Sequence, residues 1–328
     1  MAGYYAYRAI GDFVRNNEKI IKKAFKLGRK KLPSYSTLRR VILELKWINL
    51  LAIFNQWGIE LKNDNILQEW LAIDGKSLKS TVINYNKSNQ NFIVFTSLFS
   101  QESALVLQIK PFENKKVSEI KKYQEIVSNS SFRNKVFTGD ALHSQKETTN
   151  IICQNNNDYL ITVKKNQKKL YNKIEKVSKN EKPVSKFCER DKSHGRDINR
   201  EILVFNNSED KNTKWKKIKS LIKVKRWGIR GKEEYEKISY YISSLTATAE
   251  QFASKIRGHW HIENKLHWVK DVIFGEDNSP INDFQGAINF SVLNTIALNL
   301  FRILGFLSIT KGQRWLGTRV ERLSVWLE

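Results

Sequence analysis

The chain has 328 residues, of which 41% are hydrophobic and 11% aromatic, enough to bury a substantial core. Its 57 Lys and Arg against 33 Asp and Glu give a formal net charge of +24, and this excess predicts a nucleic-acid partner. The sequence has no secretory leader pattern, no unbroken apolar tract for a membrane span, no CxxC pair and no GxxxxGK or GxGxxG loop. These absences exclude a disulfide framework and favour a cytoplasmic protein with no membrane partner and no nucleotide cofactor.

Residues 1–66 predict a basic, helical N-terminal module. Apolar residues recur at helical spacing among many Lys and Arg over residues 8–26, and Pro33 interrupts the pattern. Two further helices are expected after it, the second ending at Gly58.

Residues 67–165 predict the first part of an α/β core. The runs WLAIDGKSLKS, NFIVFTSLFS and ALVLQIKPF are β-rich and separated by polar turns, which indicates a meander of three antiparallel strands. A helix, the strand KVFTGD, a second helix and the strand DYLITVKK follow. Strands that alternate with helices after a meander indicate a mixed sheet flanked by helices.

Residues 166–245 are very basic and are interpreted as an insertion that contains β-strands, with a hairpin at RDINREILVF and another strand at EKISYYISSL. Residues 246–328 then complete the chain with helices. Thr248 and Gln251 form a capping-box pattern, which predicts the start of a long helix.

The stretch from Arg257 to Asp277 is predicted to continue this helix and to form one wall of a site. One stripe of the helix is apolar, and the neighbouring stripe is polar. The apolar stripe contains Ile262, Leu266, Val269 and Ile273, and the polar stripe contains His259, Glu263, His267 and Lys270.

Three carboxylates are candidates for the chemistry. Asp74 lies late in the first predicted strand, and Asp140 lies at the end of the fourth. If those strands are neighbours, both side chains face the helix that carries Glu263. Three acids converging in a basic protein require cations, and two Mg²⁺ ions about 3.5–4 Å apart would suit hydrolysis of a phosphodiester.

Each of these residues also has an ordinary structural interpretation. Asp74 with Gly75 is a common turn pair, Asp140 could cap the following helix, and Glu263 could simply pair with His267 one turn along. Zinc held by His259, Glu263 and His267 is a further alternative. Residues i and i+8 of one helix are about 12 Å apart along the axis, which argues against a zinc site on that helix alone.

The segments LAIDGKSLKS, VFTGDALHSQKET, DYLITVKKNQKKLY and IRGHWHIENKLHWVKDVIFGED resemble, in this order, the DDE transposases of the H-repeat-associated group of bacterial insertion sequences. The N-terminal segments IGDFVRNNEKIIKKAF and LPSYSTLRRVI resemble the helical domain associated with that group, with its start shortened. The resemblance implies a ribonuclease-H-like α/β core. It places the family triad on Asp74, Asp140 and Glu263, as ligands of two Mg²⁺ or Mn²⁺ ions.

The resemblance also implies an activity. Water cleaves a strand at the element end without a covalent protein–DNA intermediate, and the freed 3′-hydroxyl then attacks target DNA. The partners implied are double-stranded DNA at the element ends and target, and a homodimer or larger assembly on that DNA. An inactive DNA-binding remnant of such an enzyme is the alternative function.

Several cations are expected to contact DNA. In related transposases Tyr, Arg, Glu and Lys surround the third acid; Lys270 matches the Lys, but His259 stands at the Arg position and Arg257 lies two residues before it. The residues predicted to contact DNA are Lys76, Lys164, Lys165, Arg257, His259, His267 and Lys270.

Overall fold

A computed structural model describes residues 2–61, 68–83, 90–193, 195–207, 215–231 and 233–323. The N-terminal part is helical, as predicted, and packs directly on the sheet. Its helices are α1 (Tyr7–Asn16), α2 (Glu18–Ala24), α3 (Tyr35–Glu44) and α4 (Trp47–Glu60).

Helix α4 does not end at Gly58, as the sequence suggested, but continues to Glu60. A Cβ atom on Gly58 would lie 2.0 Å from the carbonyl oxygen of Leu107, so this glycine permits close contact between the helix and a strand. The Asn55 side chain is bonded to both the N–H and the carbonyl of Ile109 in the same strand. The N-terminal module is therefore fixed to the edge of the sheet.

The predicted meander and the two strands after it form the first five strands of one mixed sheet. β1 pairs antiparallel with β2, and β2 with β3, whereas β1, β4 and β5 are parallel neighbours. Helices α5 and α6 connect the later strands. The elements are β1 (Trp70–Ile83), β2 (Asn91–Ser100), β3 (Val106–Glu113), α5 (Glu119–Asn129), β4 (Val136–Gly139), α6 (Lys146–Gln154) and β5 (Asp158–Val163).

The segment interpreted as an insertion extends the same sheet. Four strands follow α7, and the last of them pairs antiparallel with β5, so the full order is β3-β2-β1-β4-β5-β9-β8-β7-β6. The sequence predicted β9 and missed β6 and β8, and the hairpin predicted at RDINREILVF is wrong, because this stretch is the single strand β7. These elements are α7 (Lys168–Asn180), β6 (Ser185–Ser193), β7 (Arg196–Asn206), β8 (Ser220–Arg230) and β9 (Glu233–Ser243).

The last part of the chain is helical, but it does not contain one uniform helix up to Asp277. α8 (Ala249–His259) starts at the predicted capping box of Thr248, and two π turns follow it, Glu263–His267 and Val269–Ile273. Helices α9 (Phe284–Ile303) and α10 (Ile309–Gly317) come next. No helix in the described part of the chain is long and apolar enough to cross a membrane.

Helices cover both faces of the sheet, and alternation along β1 decides which side chains meet them. Leu71 and Ile73 pack toward α5, α6 and α7, in a core that includes Tyr123. Ala72 packs on the opposite face, in the core that the π turns and α9 complete. Since alternate residues of a strand share a face, Asp74 projects toward the π turns. The architecture is a large mixed sheet between helices, consistent with a ribonuclease-H-like fold.

Candidate active site

Asp74 lies within β1, not at its end. It is opposite Ser97 in β2, and the next residue, Gly75, is opposite Thr96, so the strand runs straight through the Asp–Gly pair. The turn interpretation of this pair is therefore wrong. Gly75 instead permits close packing of the strand against α5, because a Cβ atom there would lie 2.6 Å from the carboxyl carbon of Glu119 at the start of that helix.

Asp140 directly follows β4, the parallel neighbour of β1. Ala72 is in register with Thr138, and two residues further along each strand lie Asp74 and Asp140. Asp140 also accepts a hydrogen bond from the backbone N–H of Leu142 at 2.9 Å and so caps the short 3-10 turn that follows. The capping interpretation and the convergence with Asp74 are both correct.

Glu263 begins the first π turn, in which the N–H of Trp268 donates to the Glu263 carbonyl. Its carboxylate Oε2 lies 3.0 Å from Nδ1 of His267, and the same nitrogen lies 3.6 Å from Oδ2 of Asp74. Single ligand atoms of Asp74, Glu263 and His267 all lie within 4.8 Å of one another. π turns inside helices occur frequently at functional sites, where the extra residue redirects side chains.

The three predicted acids line a single cleft of about 610 Å³ between β4, β5, β8 and β9 on one side and the end of α8 on the other. The cleft is acidic along β1, β4 and the π turn and basic along β5, β8 and β9. Its charged lining consists of Asp74, Asp140, Glu263, Lys164, Lys165, Arg226 and Lys237.

The carboxylates of this cleft differ in their electrostatics. Burial, with smaller contributions from the neighbouring Glu119 and Asp140, raises the pKa of Asp74 to about 6 against the opposing influence of His267. The pKa of Glu263 is lowered, chiefly by its hydrogen bond from His267. A cation near Asp74 would offset the cost of its burial.

His259 lines the cleft without joining the cluster of ligand atoms. Its Nδ1 lies 2.9 Å from Oγ1 of Thr138, which also accepts a hydrogen bond from Gln101. Burial lowers the pKa of His259 to about 4, so the ring is neutral near pH 7. A neutral ring cannot supply the charge expected of a residue that binds phosphate.

The cluster of Asp74, Glu263 and His267 fits a divalent metal ion. Two carboxylates and an imidazole are ordinary ligands for Mn²⁺, and hard carboxylate oxygens suit Mg²⁺. Nε2 of His267 is buried and has no hydrogen-bond partner in the described part of the chain. Asp140 lies outside this group of ligand atoms but lines the same cleft.

Lys76 and Lys270, two of the residues predicted to contact DNA, are buried. Lys76 Nζ lies 2.5 Å from Asp271 and 3.4 Å from Asp277, so it links β1 to the end of the second π turn. Lys270 bonds to Ser291 and Thr295 of α9 and lies 3.6 Å from Glu276. Neither ammonium group reaches the cleft surface. Both ammonium groups are already paired with acids inside the protein, so a DNA contact by Lys76 or Lys270 stays a prediction without support from the structure.

The three other Lys and Arg residues predicted to contact DNA divide into two groups. Lys164 and Lys165 line the cleft, at the end of β5. Arg257 lies on α8 and forms an ion pair with Glu189 of β6 at 2.6 Å. Its guanidinium is therefore already partnered and is not among the groups that line the cleft.

Two residues near the acids were not identified from the sequence. Glu119 Oε1 lies 3.3 Å from Nε2 of His143, which lies 3.8 Å from Oδ1 of Asp140. The His143 ring is fully buried and stacked on Tyr123, with centroids 4.2 Å apart. A His three residues after Asp140 was a visible signal, but nothing in the sequence brings Glu119 to the site.

Comparisons with known proteins agree with this geometry. The family described as "Transposase DDE domain" matches residues 67–300, and the chain belongs to this family of DNA-processing proteins.

Three bacterial proteins are similar to most of the chain. "Putative protein YbfL" of Escherichia coli (strain K12) is 32% identical over 315 residues, covering 92% of this chain and 81% of that protein. "H repeat-associated putative transposase YhhI" of the same strain is 31% identical with the same coverage. "Putative transposase YncI" of Escherichia coli O157:H7 is 33% identical over 319 residues, 92% and 79% of the two chains. The predicted resemblance to the H-repeat-associated group is confirmed.

Proposed function

We propose that the protein is the DNA transposase of a bacterial insertion sequence, and that Asp74, Asp140 and Glu263 are its catalytic acids. The observation that carries this proposal is their convergence in one cleft whose lining is basic along β5, β8 and β9. Membership in a transposase family supports DNA as the substrate. Such a substrate locates the protein in the bacterial cytoplasm, at the nucleoid when it is bound to DNA.

Asp74, Asp140 and Glu263, with His267 beside Glu263, would hold two divalent ions, Mg²⁺ or Mn²⁺. Bound ions of this kind neutralise the phosphate and lower the pKa of the attacking water or hydroxyl. The protein's own contribution is to hold the carboxylates in register on β1 and β4 and to position Glu263 through the π turn.

The proposed reaction has two phosphoryl-transfer steps. In the first, a water oxygen bonds to phosphorus at the element end and the bond to the 3′-oxygen breaks, leaving a 3′-hydroxyl and a 5′-phosphate. In the second, that 3′-hydroxyl oxygen bonds to a phosphorus of target DNA and displaces a target 3′-oxygen, which leaves as a hydroxyl. Because two element ends must be held together, the active form would be at least a dimer on DNA.

Cleavage of DNA that spans both ends of the element around the reading frame tests the proposal. Wild-type protein is expected to nick this DNA with Mg²⁺ or Mn²⁺, whereas Asp74→Asn, Asp140→Asn and Glu263→Gln abolish nicking. Glu147→Gln is the matched control, since Glu147 is an exposed carboxylate on α6. Full activity in any of the three variants would refute the assignment of that acid. Metal-independent DNA binding without nicking by the wild type would identify an inactive remnant.

A further inference from the structure

A row of cations crosses three neighbouring strands of the sheet. Arg226 of β8 is directly opposite Arg200 of β7 on one side and Lys237 of β9 on the other. Side chains of directly opposite residues share a face, and like charges in such positions destabilise a sheet. The arrangement therefore requires either compensating acids or another role.

Within this row, carboxylates neutralise the positive charge of Arg200 only. Arg200 forms ion pairs with Glu189 and Asp191 of β6, each at 3.3 Å. Arg226 and Lys237 have no carboxylate partner among the residues that the structure describes. The Nε of Arg226 is buried and makes no hydrogen bond there. These two neighbouring cations thus remain uncompensated within the described structure.

The position of Arg226 and Lys237 relative to α8 determines which part of the protein their side chains face. Ile222 and Val224, the residues of β8 that share a face with Arg226, are buried beneath α8 together with Phe252. Two residues further along the strand, the same face opens into the cleft, and both Arg226 and Lys237 line it. Along this face of β8, the side chains are therefore apolar where α8 covers the strand and cationic where it does not.

The two cations line the same cleft as the three acids, further along the sheet from Asp74 and Asp140. A phosphodiester positioned at the acids would carry its negative charge into this space, within the part of the cleft that Arg226 and Lys237 also line. The planar fork of Arg binds phosphate oxygens through two parallel hydrogen bonds, and Lys adds a point charge.

We propose that Arg226 and Lys237 form a phosphate-binding pair that holds the backbone of the DNA strand cut at Asp74, Asp140 and Glu263. The inference rests on the proposed function, because it assigns the strand held by the pair as the one that is cleaved. It makes β8 and β9, in the segment interpreted as an insertion, part of the substrate site.

The salt dependence of DNA binding tests the pair directly. Fluorescence anisotropy with a labelled duplex of the element end, in EDTA, measures binding of the full chain without cleavage. Arg226→Ala and Lys237→Ala are each expected to weaken binding and to reduce the slope of log K against log salt by about one, the contribution of one phosphate contact. Arg226→Lys should retain the slope.

Lys225→Ala is the matched control. Lys225 is adjacent to Arg226, lies on the opposite face of β8 and forms an ion pair with Glu236, so its loss should leave the salt slope unchanged. Melting temperature separates binding from a structural role. Because Arg226 faces two like charges, Arg226→Ala should melt at the same or a higher temperature than the wild type. An unchanged slope with a lower melting temperature would overturn the inference.

Failure of the inference and failure of the proposed function give different results. If the wild type does not nick DNA but the slope of the Arg226→Ala/Lys237→Ala double variant is lower by about two, the proposed chemistry fails and phosphate binding by the pair stands. If the wild type nicks DNA and the double variant retains both its slope and its nicking rate, the inference fails alone.

Discussion

The side chains of His267 and Glu263 are joined by a hydrogen bond of 3.0 Å within a single π turn. The same imidazole nitrogen lies 3.6 Å from Asp74, so one ring is shared between a carboxylate of the sheet and a carboxylate of the helix. This contact holds the two walls of the cleft together. It also makes His267 part of any metal site that Asp74 and Glu263 form.

His267→Gln is expected to weaken Mn²⁺ binding by about 10- to 100-fold, the cost of losing a ligand or the group that orients one. Isothermal titration with Mn²⁺ in the absence of DNA gives the affinity. His259→Gln is the control, because His259 bonds to Thr138 and is not in the ligand cluster. Equal affinities for the wild type and both variants would show that the imidazole has no role in metal binding.

Asp74→Asn is expected to stabilise the metal-free protein at neutral pH. Because the folded-state pKa of Asp74 is about 6 against an ordinary 3.8, folding favours the protonated carboxyl. The wild type therefore loses stability relative to the variant as the pH rises from about 4 to 6, by roughly 3 kcal/mol at most. Above pH 6 the difference stays constant, and below pH 4 it disappears.

Urea unfolding in EDTA at pH 4 and pH 7.5 measures this difference. Glu147→Gln should show no pH-dependent gain, because its carboxylate is exposed. A wild type that is more stable than Asp74→Asn at pH 7.5 without metal would contradict the expected sign.

Lys270→Met is expected to cost about 3–5 kcal/mol in the free energy of unfolding, because it leaves the buried Glu276 carboxylate without its cation. Adding Glu276→Gln should recover part of that loss. The double variant should therefore lose less free energy of unfolding than the two single variants lose together. Urea unfolding of the four proteins completes the cycle. A Lys270→Met protein with wild-type stability and a reduced salt slope for DNA would instead indicate a phosphate contact.

Gly58→Ala is expected to destabilise the protein by about 1–3 kcal/mol, although Ala is the better helix former. The new Cβ would lie 2.0 Å from the Leu107 carbonyl oxygen, and a strand backbone cannot move aside cheaply. Gly317→Ala is the control, since nothing lies within 4 Å of the corresponding position in α10. Thermal melting compares the two. If both changes raise the melting temperature, α4 does not pack closely on β3.

Much of the sheet could be predicted from local patterns. Apolar runs bounded by polar turns predicted β1 to β5, and the expectation that β1 and β4 are neighbours correctly brought Asp74 and Asp140 together. β8 was missed because Lys223 and Lys225 alternate with the buried residues Ile222 and Val224, and β6 was missed because it is mostly polar and charged. The apolar stripe of β8 depends on cover from α8, which is distant in the sequence.

The π turns could not be predicted from periodicity. A spacing of three and four residues is compatible with a regular helix, and the apolar stripe of Ile262, Leu266 and Val269 is indeed buried. Each π turn inserts one extra residue, which rotates the residues after it by about 100° relative to a regular helix. Lys270 was therefore expected beside Glu263, but it lies instead in the core against α9.

The strand order also determines when the cleft can form during synthesis. The backbone N–H of Tyr159 in β5 bonds to Ser244, at the end of β9 and 85 positions later in the chain, and Glu263 follows only after that. Chains emerge from the ribosome with the N-terminus first. A nascent or prematurely terminated chain would carry two of the acids and most of its positive charge without the third acid. Under the proposed function, such a product would still attract DNA through its basic residues but would lack one of the three acids needed to cut it.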